Sequence, residues 1–323
     1  MANTTKTQIP DEVNYVYQRV LLQAARPYLT HTKWAQVKDI PANSGTASIR
    51  FSRYSLLAAN TTALTEGVTP TGKRLVRTFV NATALQYGDF VTFTDKVLME
   101  TQDPILTENS KILGQQSGNT FDQLTRTVLA AATTIQWAGI RTATDEITAN
   151  DILGKAEIMK AVRTLRGNNA EKMTSMIDAT TGFNTKPIPT CYVAIISEDT
   201  LYDLEQNTST NGFIKVEEYA NKANVMEGEE GSLSSVRFIL STNAYVNSAA
   251  GADNNDVHYT IILAANAYGI TRISGKALEY IVQTPGTTAD PLKQRSTSGW
   301  KATFVAKILN EDFLLVLQHG VSA

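Results

Sequence analysis

The sequence predicts an α+β fold, with helices and strands segregated along the chain rather than alternating. Three observations carry that reading. One long amphipathic helical pattern dominates the middle of the chain. Two extended runs before it are separated by a polar, glycine-rich stretch. A set of short apolar strands fills the second half. The chain has 323 residues, a net charge of -2 and 19% charged residues. That length supports two or three domains, and the charge balance argues against a dedicated nucleic-acid binder. Nothing at the start resembles a secretory leader and no apolar run reaches membrane-spanning length, so a reducing cytosol is expected. One cysteine, Cys191, excludes an intrachain disulfide framework and sits in an apolar strand as an inert buried thiol.

The first ten residues are polar and arm-like, and a short amphipathic helix follows. Val13, Val16, Tyr17, Val20, Leu21 and Ala24 share one of its faces, and Pro27 ends it. So short a helix is marginal alone and must dock on something. Residues 46–58 and 75–97 read as strands, the second interrupted by Gly88. Between them lie Gly67, Pro70 and Gly72, so the pair forms a two-stranded arm with a flexible tip. An isolated hairpin is barely stable, which points to assembly.

Residues 103–139 form the central helix. Asp103 and Pro104 give a start signal. Phe121, Leu124, Val128, Ala131 and Ile135 recur at spacings of three and four, and Gly139 is the stop. Such a helix would be about 50 Å long, a beam joining separate lobes. Gly114 and Gly118 each cost roughly 1 kcal/mol against alanine, so a bend or fraying is expected there. Asn150 or Asp151 caps a further helix that buries Ile152, Ala156, Met159 and Val162 and ends at Gly167. CYVAIIS is a buried strand, and Ser197 caps the helix EDTLYDLEQ. VRFILST and HYTIILA are strands either side of a polar loop, and residues 270–283 are mixed. The closing WKATFVAKILNEDFLLVL alternates around Ala302, Phe304, Ala306 and Ile308, then pairs back through a turn at residues 310–312.

No pattern argues for catalysis or a cofactor. Residues 67–74, GVTPTGKR, match a phosphate-binding loop as far as Lys73, but Arg74 replaces the hydroxyl and the continuation is strand-like. His31, His258 and His319 are scattered, and surface or capping roles suit them better than a metal. Glu227, Glu229 and Glu230, like Asp253 and Asp256, read as solvated loops rather than calcium sites.

The stretches IPANSGTASIRFSRY, ALTEGVTPTG, ATALQYGDFVTFTD, GEEGSLSSVRFILSTNA and DPLKQRSTSGWKATFVAKILNEDF, with DPIL at 103, carry a resemblance almost end to end. TEGVTP, LQYGDF and DPLxQR…GWK are specific in combination. The chain resembles the major capsid proteins of tailed bacteriophages, in particular the N-four-like family with the Hong Kong-type capsid fold. The resemblance implies an N-terminal arm at 1–45 and an E-loop at 46–97. It also implies a peripheral domain at 98–147 and 284–323 with spine helix 103–139, and an axial domain at 148–283. It implies no cofactor and no enzymatic activity. Hexamers and pentamers would form an icosahedral head, assembled in the bacterial host cytoplasm, around non-specifically packaged double-stranded DNA. A portal, a separate scaffolding protein and a decoration protein are the implied partners. Glu66, Lys73, Arg74, Arg77, Tyr15 and Tyr17 would make intersubunit contacts. Leu124, Val128 and Ile135 would be spine core. The rivals are an α+β enzyme built from scattered Asp, Glu and His, and a non-viral compartment shell of the same fold.

Overall fold

The structure, a computed structural model, describes residues 10–322 except 26–27, 42–45, 56, 101–104, 174–188, 207–211, 222, 224, 273–277 and 284–293. Of residues 10–17 and 98–100 it describes the backbone alone. In chain order the elements are α1 (Pro10–Ala25), β1 (Gln36–Val37), β2 (Ser48–Tyr54), β3 (Arg77–Thr83), β4 (Leu85–Thr94), α2 (Asp95–Glu100) and α3 (Ile105–Ala130). Then come β5 (Ile135–Trp137), α4 (Lys155–Gly167), β6 (Tyr192–Ile196), α5 (Glu198–Gln206), β7 (Ile214–Lys215), β8 (Glu229–Leu233) and β9 (Val236–Leu240). The chain closes with β10 (Val246–Asn247), β11 (Val257–Leu263), β12 (Tyr268–Arg272), β13 (Glu279–Gln283), β14 (Arg295–Ile308) and β15 (Leu314–His319).

The strands form three sheets. β1, β12, β14 and β13 line up, with β4 on the other edge of β14; β5, β15, β11, β6, β9, β8 and β7 form the largest sheet, with β10 beside β11; β2 and β3 stand apart as a hairpin. This differs from the expected arrangement in two ways. β14 and β15 do not pair with each other: β14 pairs β12, β13 and β4, whereas β15 pairs β11 and β5. The three-residue turn, with the Asn310 side chain accepting the Asp312 N–H, hands the chain from one sheet to the other. The second extended run also splits at Ala84, so β3 belongs to the hairpin and β4 to the five-stranded sheet. Alternation alone gave both runs their strand character, because period two is the same whichever partner a strand meets.

The long helix ends earlier than its periodicity suggests, at Ala130. Thr133, Thr134 and Ile135 are β-branched and poor helix formers. They have better partners elsewhere. The Thr133 N–H donates to a Glu311 carboxylate, the Thr134 hydroxyl to the Glu311 carbonyl, and Ile135 starts β5 alongside Val316. Ile135 is therefore a half-buried strand residue, not spine core. Gly139 has φ of 63° but follows β5 rather than capping α3. Asp103 and Pro104 lie outside the described residues.

The buried face of α3 is mostly small and polar: Asn109, Ser110, Leu113, Gly114, Ser117, Gly118, Phe121, Asp122, Thr125 and Leu129. Leu124 and Val128 are only partly buried at the edge of the core that α3 shares with the five-stranded sheet. The two glycines are not points of bending. A β-carbon on Gly114 would lie 2.5 Å from the Leu21 carbonyl oxygen and 2.9 Å from Ala24 Cβ. One on Gly118 would lie 3.0 Å from Ala25 Cα. They let α1 lie backbone-to-helix on α3, the dock that its length demands. On its other side α3 meets the five-stranded sheet, with the Phe121 ring centroid 5.7 Å from Trp300 and 5.0 Å from Phe304. Trp300 Nε1 donates to Gln116, and Gln116 in turn donates to Asp89 on β4.

The largest sheet packs on α4 and α5. β6 is buried at every residue, and Ser197 caps α5 by accepting the Thr200 N–H. α4 starts later than expected. Its N-cap is Gly154, without side-chain capping, and Ile158, Ala161, Val162 and Leu165 face the core while Met159 is 53% exposed. Asp151 is used instead to hold a turn, accepting from Thr148 and Arg141.

Candidate assembly interface

The β2–β3 hairpin leaves one face and a long exposed connection uncovered. In register Phe51 faces Val80 and Ile49 faces Ala82, and these residues form the face turned to the body of the chain. Phe51 and Ala82 are buried there, with Phe51 lying over Gly269. The opposite face carries Arg50, Ser52, Tyr54, Arg77, Phe79 and Asn81, a consequence of the two-residue period of a strand. On it the Arg50 guanidinium lies 4.9 Å from the Phe79 ring, and Arg77 lies 4.8 Å from Phe79 and 5.5 Å from Tyr54. Arg50 Nε donates to Asn81 and Arg77 donates to the Ser52 hydroxyl, so both guanidiniums are fixed in orientation. Ordered exposed cations next to aromatic rings are favoured at protein interfaces, since their desolvation is shared with the ring.

Beyond this ladder, residues 57–76 are exposed throughout and lack regular structure. Leu57, Leu64, Val68, Leu75 and Val76 are all large exposed apolar residues there. Glu66 and Gly67 form the turn, with Gly67 at φ 78°. Lys73 Nζ reaches the carbonyls of Ala58 and Ala59, and Arg74 is exposed. The near phosphate-binding loop is thus an extended segment with no helix to cradle an anion. Of the expected contact residues, Glu66, Lys73, Arg74 and Arg77 share this hairpin. Tyr15 and Tyr17 lie on α1, and their side chains are outside the described residues. Arg50, Tyr54 and Phe79 were missed. Their signal was the alternation in RFSRY and RTF, which puts the cations and rings on one face.

The charged groups expected at the surface are partly interior. All three histidines are buried, which corrects their expected surface role. His31 Nδ1 lies 2.8 Å from Asp122, whose carboxylate also accepts the His31 N–H and an Asn243 amide, and Tyr268 donates to the His31 carbonyl. His319 bonds Thr260 and the Gly320 carbonyl, and burial pushes its pKa down to about 4. Burial also lowers His258, against the pull of Asp199. Glu229 is likewise not solvated: it is buried, accepts from Tyr219 and the Met226 N–H, and lies 3.5 Å from Arg237. Glu227 is exposed and pairs with Lys33.

One cluster has the composition of a hydrolase site. Ser197 Oγ is 2.8 Å from His258 Nδ1, and His258 Nε2 is 3.9 Å from Asp199. The histidine–carboxylate distance exceeds a hydrogen bond, and Ser197 Oγ is occupied as the cap of α5 beside the Thr200 hydroxyl. The group is a helix cap.

No protein-family model matches the chain, and no curated protein matches it. Solved phage capsids do. The capsid of Ralstonia phage GP4 is similar with a TM-score of 0.73 at 13% identity, over 90% of this chain and 87% of that one. The capsid of cyanophage P-SCSP1u gives 0.62 at 14% identity, over 90% and 87%. The capsid asymmetric unit of cyanophage Pam1 gives 0.61 at 13% identity, over 94% and 93%. The chain has the α+β fold of phage capsid proteins.

Proposed function

We propose that this chain is the major capsid protein of a tailed bacteriophage of the N-four-like kind, a structural protein of the virion and not an enzyme. Many copies, as hexamers and pentamers, close into an icosahedral head around double-stranded DNA. The observation that supports this most directly is a fold shared along about nine-tenths of the chain with phage capsids. The hairpin agrees with it, because apolar and cationic groups stand uncovered on an element too small to be stable alone.

In this reading the hairpin, residues 48–83, is the intersubunit strap. α3, with α1 and the five-stranded sheet, is the peripheral body. The larger sheet with α4 and α5 is the axial body. In this reading β12 and β13 go with β14 in the peripheral sheet, while β15 joins β11 in the axial one. Each strap buries apolar surface at roughly 25 cal/mol per Å², and many such weak contacts add through multivalency. A net charge of -2 suits a wall that contains DNA without gripping it. A scaffolding protein, a portal and a decoration protein would be its assembly partners.

The test is expression with the scaffolding partner, followed by light scattering and negative-stain microscopy. Uniform icosahedral shells or their capsomers are the expected result. A monodisperse monomer under every assembly condition refutes the reading. Shells holding an enzyme rather than DNA would favour a non-viral compartment.

A further inference from the structure

Two helices on the largest sheet turn opposite charges to solvent. Ile158, Ala161, Val162 and Leu165 of α4 share one core with Leu201 and Leu204 of α5. The outward face of α4 carries Lys155, Met159, Lys160, Arg163 and Arg166, all exposed. None of its four cations has an ion-pair partner among the described residues. Lys160 Nζ turns to the Gly139 carbonyl and Arg166 to the Ser235 hydroxyl. The acid of the first turn, Glu157, is half-buried with its carboxylate over Gly154. α5 has the complementary surface. Glu198, Tyr202 and Glu205 recur at spacings of four and three, which makes them one stripe of the helix, and Tyr202 is 59% exposed. Glu230 on β8 lies beside this stripe, where burial, with Glu205 and Glu198 close by, raises its pKa. Glu205 pairs with Lys215, whereas Glu198 and Glu230 have no ion pair among the described residues.

We propose that the α4 face of one copy docks on the α5 face of a second copy, with Met159 against Tyr202 and the cations of one helix against the carboxylates of the other. The proposal rests on the shell reading above and adds to it a contact that does not involve the hairpin. Charge complementarity selects the occupant. Within one chain no ion pair joins the two faces among the described residues, so each keeps its charge for another molecule. The exposed apolar groups select protein over nucleic acid. Met159 stands among the cations, and Ile140, 92% exposed, follows the Gly139 carbonyl on which Lys160 ends. A track for phosphates has no use for either residue, whereas a thioether on an aromatic ring is a favoured contact. An apolar centre inside a charged rim is also the usual anatomy of a protein interface. The two faces are different surfaces, so the contact is head-to-tail and passes from copy to copy until a ring closes.

The test uses two cysteine variants of the full chain, Met159→Cys and Tyr202→Cys, co-expressed and oxidised after assembly. The native Cys191 is buried, with its thiol donating to the Pro189 carbonyl, and unsubstituted shells give the background. A disulfide-linked dimer is expected from mixed shells and from neither variant alone. Reversing the α4 face with Lys160→Glu and Arg163→Glu, both at exposed positions, should lower shell yield at least tenfold without changing the circular dichroism of the subunit. Adding Glu198→Lys and Glu230→Lys to the same chain should restore shells, because the signs are then exchanged rather than lost. Mixed shells without the dimer, or normal yield from the reversed α4 face, overturn the proposal. Normal shells from that variant that hold less DNA would assign the face to nucleic acid instead. The native chain separates the two levels. Native chains that form no particle refute the shell reading and this contact with it, whereas native shells alongside mixed shells that do not cross-link refute the contact alone.

Discussion

Alanine at Gly118 separates two physical accounts of the long helix α3 by the sign of its effect. If the glycine were simply a weak point in a helix, alanine would stabilise the subunit by about 1 kcal/mol. The packing gives the opposite sign. The new methyl would meet the backbone of Ala25, with its Cα 3.0 Å away, and backbone cannot rotate aside as a flexible side chain could. α1 must shift, and overpacking of this kind costs about 1–3 kcal/mol. Set against the propensity gain, the net loss is about 0–2 kcal/mol, and Gly118→Val removes the ambiguity by adding bulk without good propensity. Gly167→Ala is the control, since Gly167 is helical and nothing lies within 4 Å of its added carbon. Urea denaturation of the dissociated subunit, followed by far-ultraviolet circular dichroism, reads both. Gly167→Ala should raise the midpoint, Gly118→Val should lower it, and Gly118→Ala should fall at or below the native protein. A midpoint for Gly118→Ala raised as much as for Gly167→Ala would refute the close α1–α3 packing.

Acid should destabilise the subunit through His319 and His258, whose pKa values burial lowers. With the folded pKa of His319 near 4 against an ordinary 6.5, the stabilisation is complete above pH 6.5 and lost as pH falls toward 4. That is about 3 kcal/mol, readable as a urea midpoint that falls across this window and is flatter in His319→Gln. Leu129→Asp should yield insoluble subunits, because it places a charge at a fully buried position; a folded, soluble product would remove Leu129 from the core. Lys73→Ala should leave the absence of ATP binding unchanged by calorimetry, since residues 67–76 are extended and exposed; native binding lost in the variant would reinstate the phosphate loop.

What the sequence revealed were features with local causes. The strand character of β6, β9, β11 and β14, the cap at Ser197 and the existence of α1 and α3 all follow from periodicity and capping within a few residues. What it concealed depended on partners far along the chain. Ile135 fits the helical period, yet it pairs with Val316, and no local rule weighs that contact. The α4 face was misjudged at Ala156 and Met159, both exposed, and Ile152 precedes the helix; Met159 and Ile158 are equally apolar, and only the position of the sheet selects Ile158. Buried polar groups were hardest to foresee. His31 and Asp122 lie 91 residues apart, and neither belongs to a spaced motif.

That buried pair also bears on why the subunit keeps one shape. Asp122 on α3 is shared by His31, which follows α1, and by Asn243, in the loop between β9 and β10. Tyr268 at the start of β12 ties the same His31 from the other side. Four separate segments therefore converge on one carboxylate and one imidazole at complete burial. A hydrophobic cluster would hold these segments with similar or greater strength, because burying charge carries a desolvation cost. It would not fix their angles, since apolar contacts are non-directional and hydrogen bonds are not. In the proposed shell, many identical chains would tolerate little variation in subunit shape, because an angular error repeats at every interface. Replacing both members together, His31→Leu with Asp122→Leu, distinguishes strength from shape, since removing one alone would strand the other at complete burial. If the pair serves geometry, the double variant should fold but give shells of mixed size or open sheets by negative stain. Uniform shells from a stable double variant would show that packing alone fixes the shape.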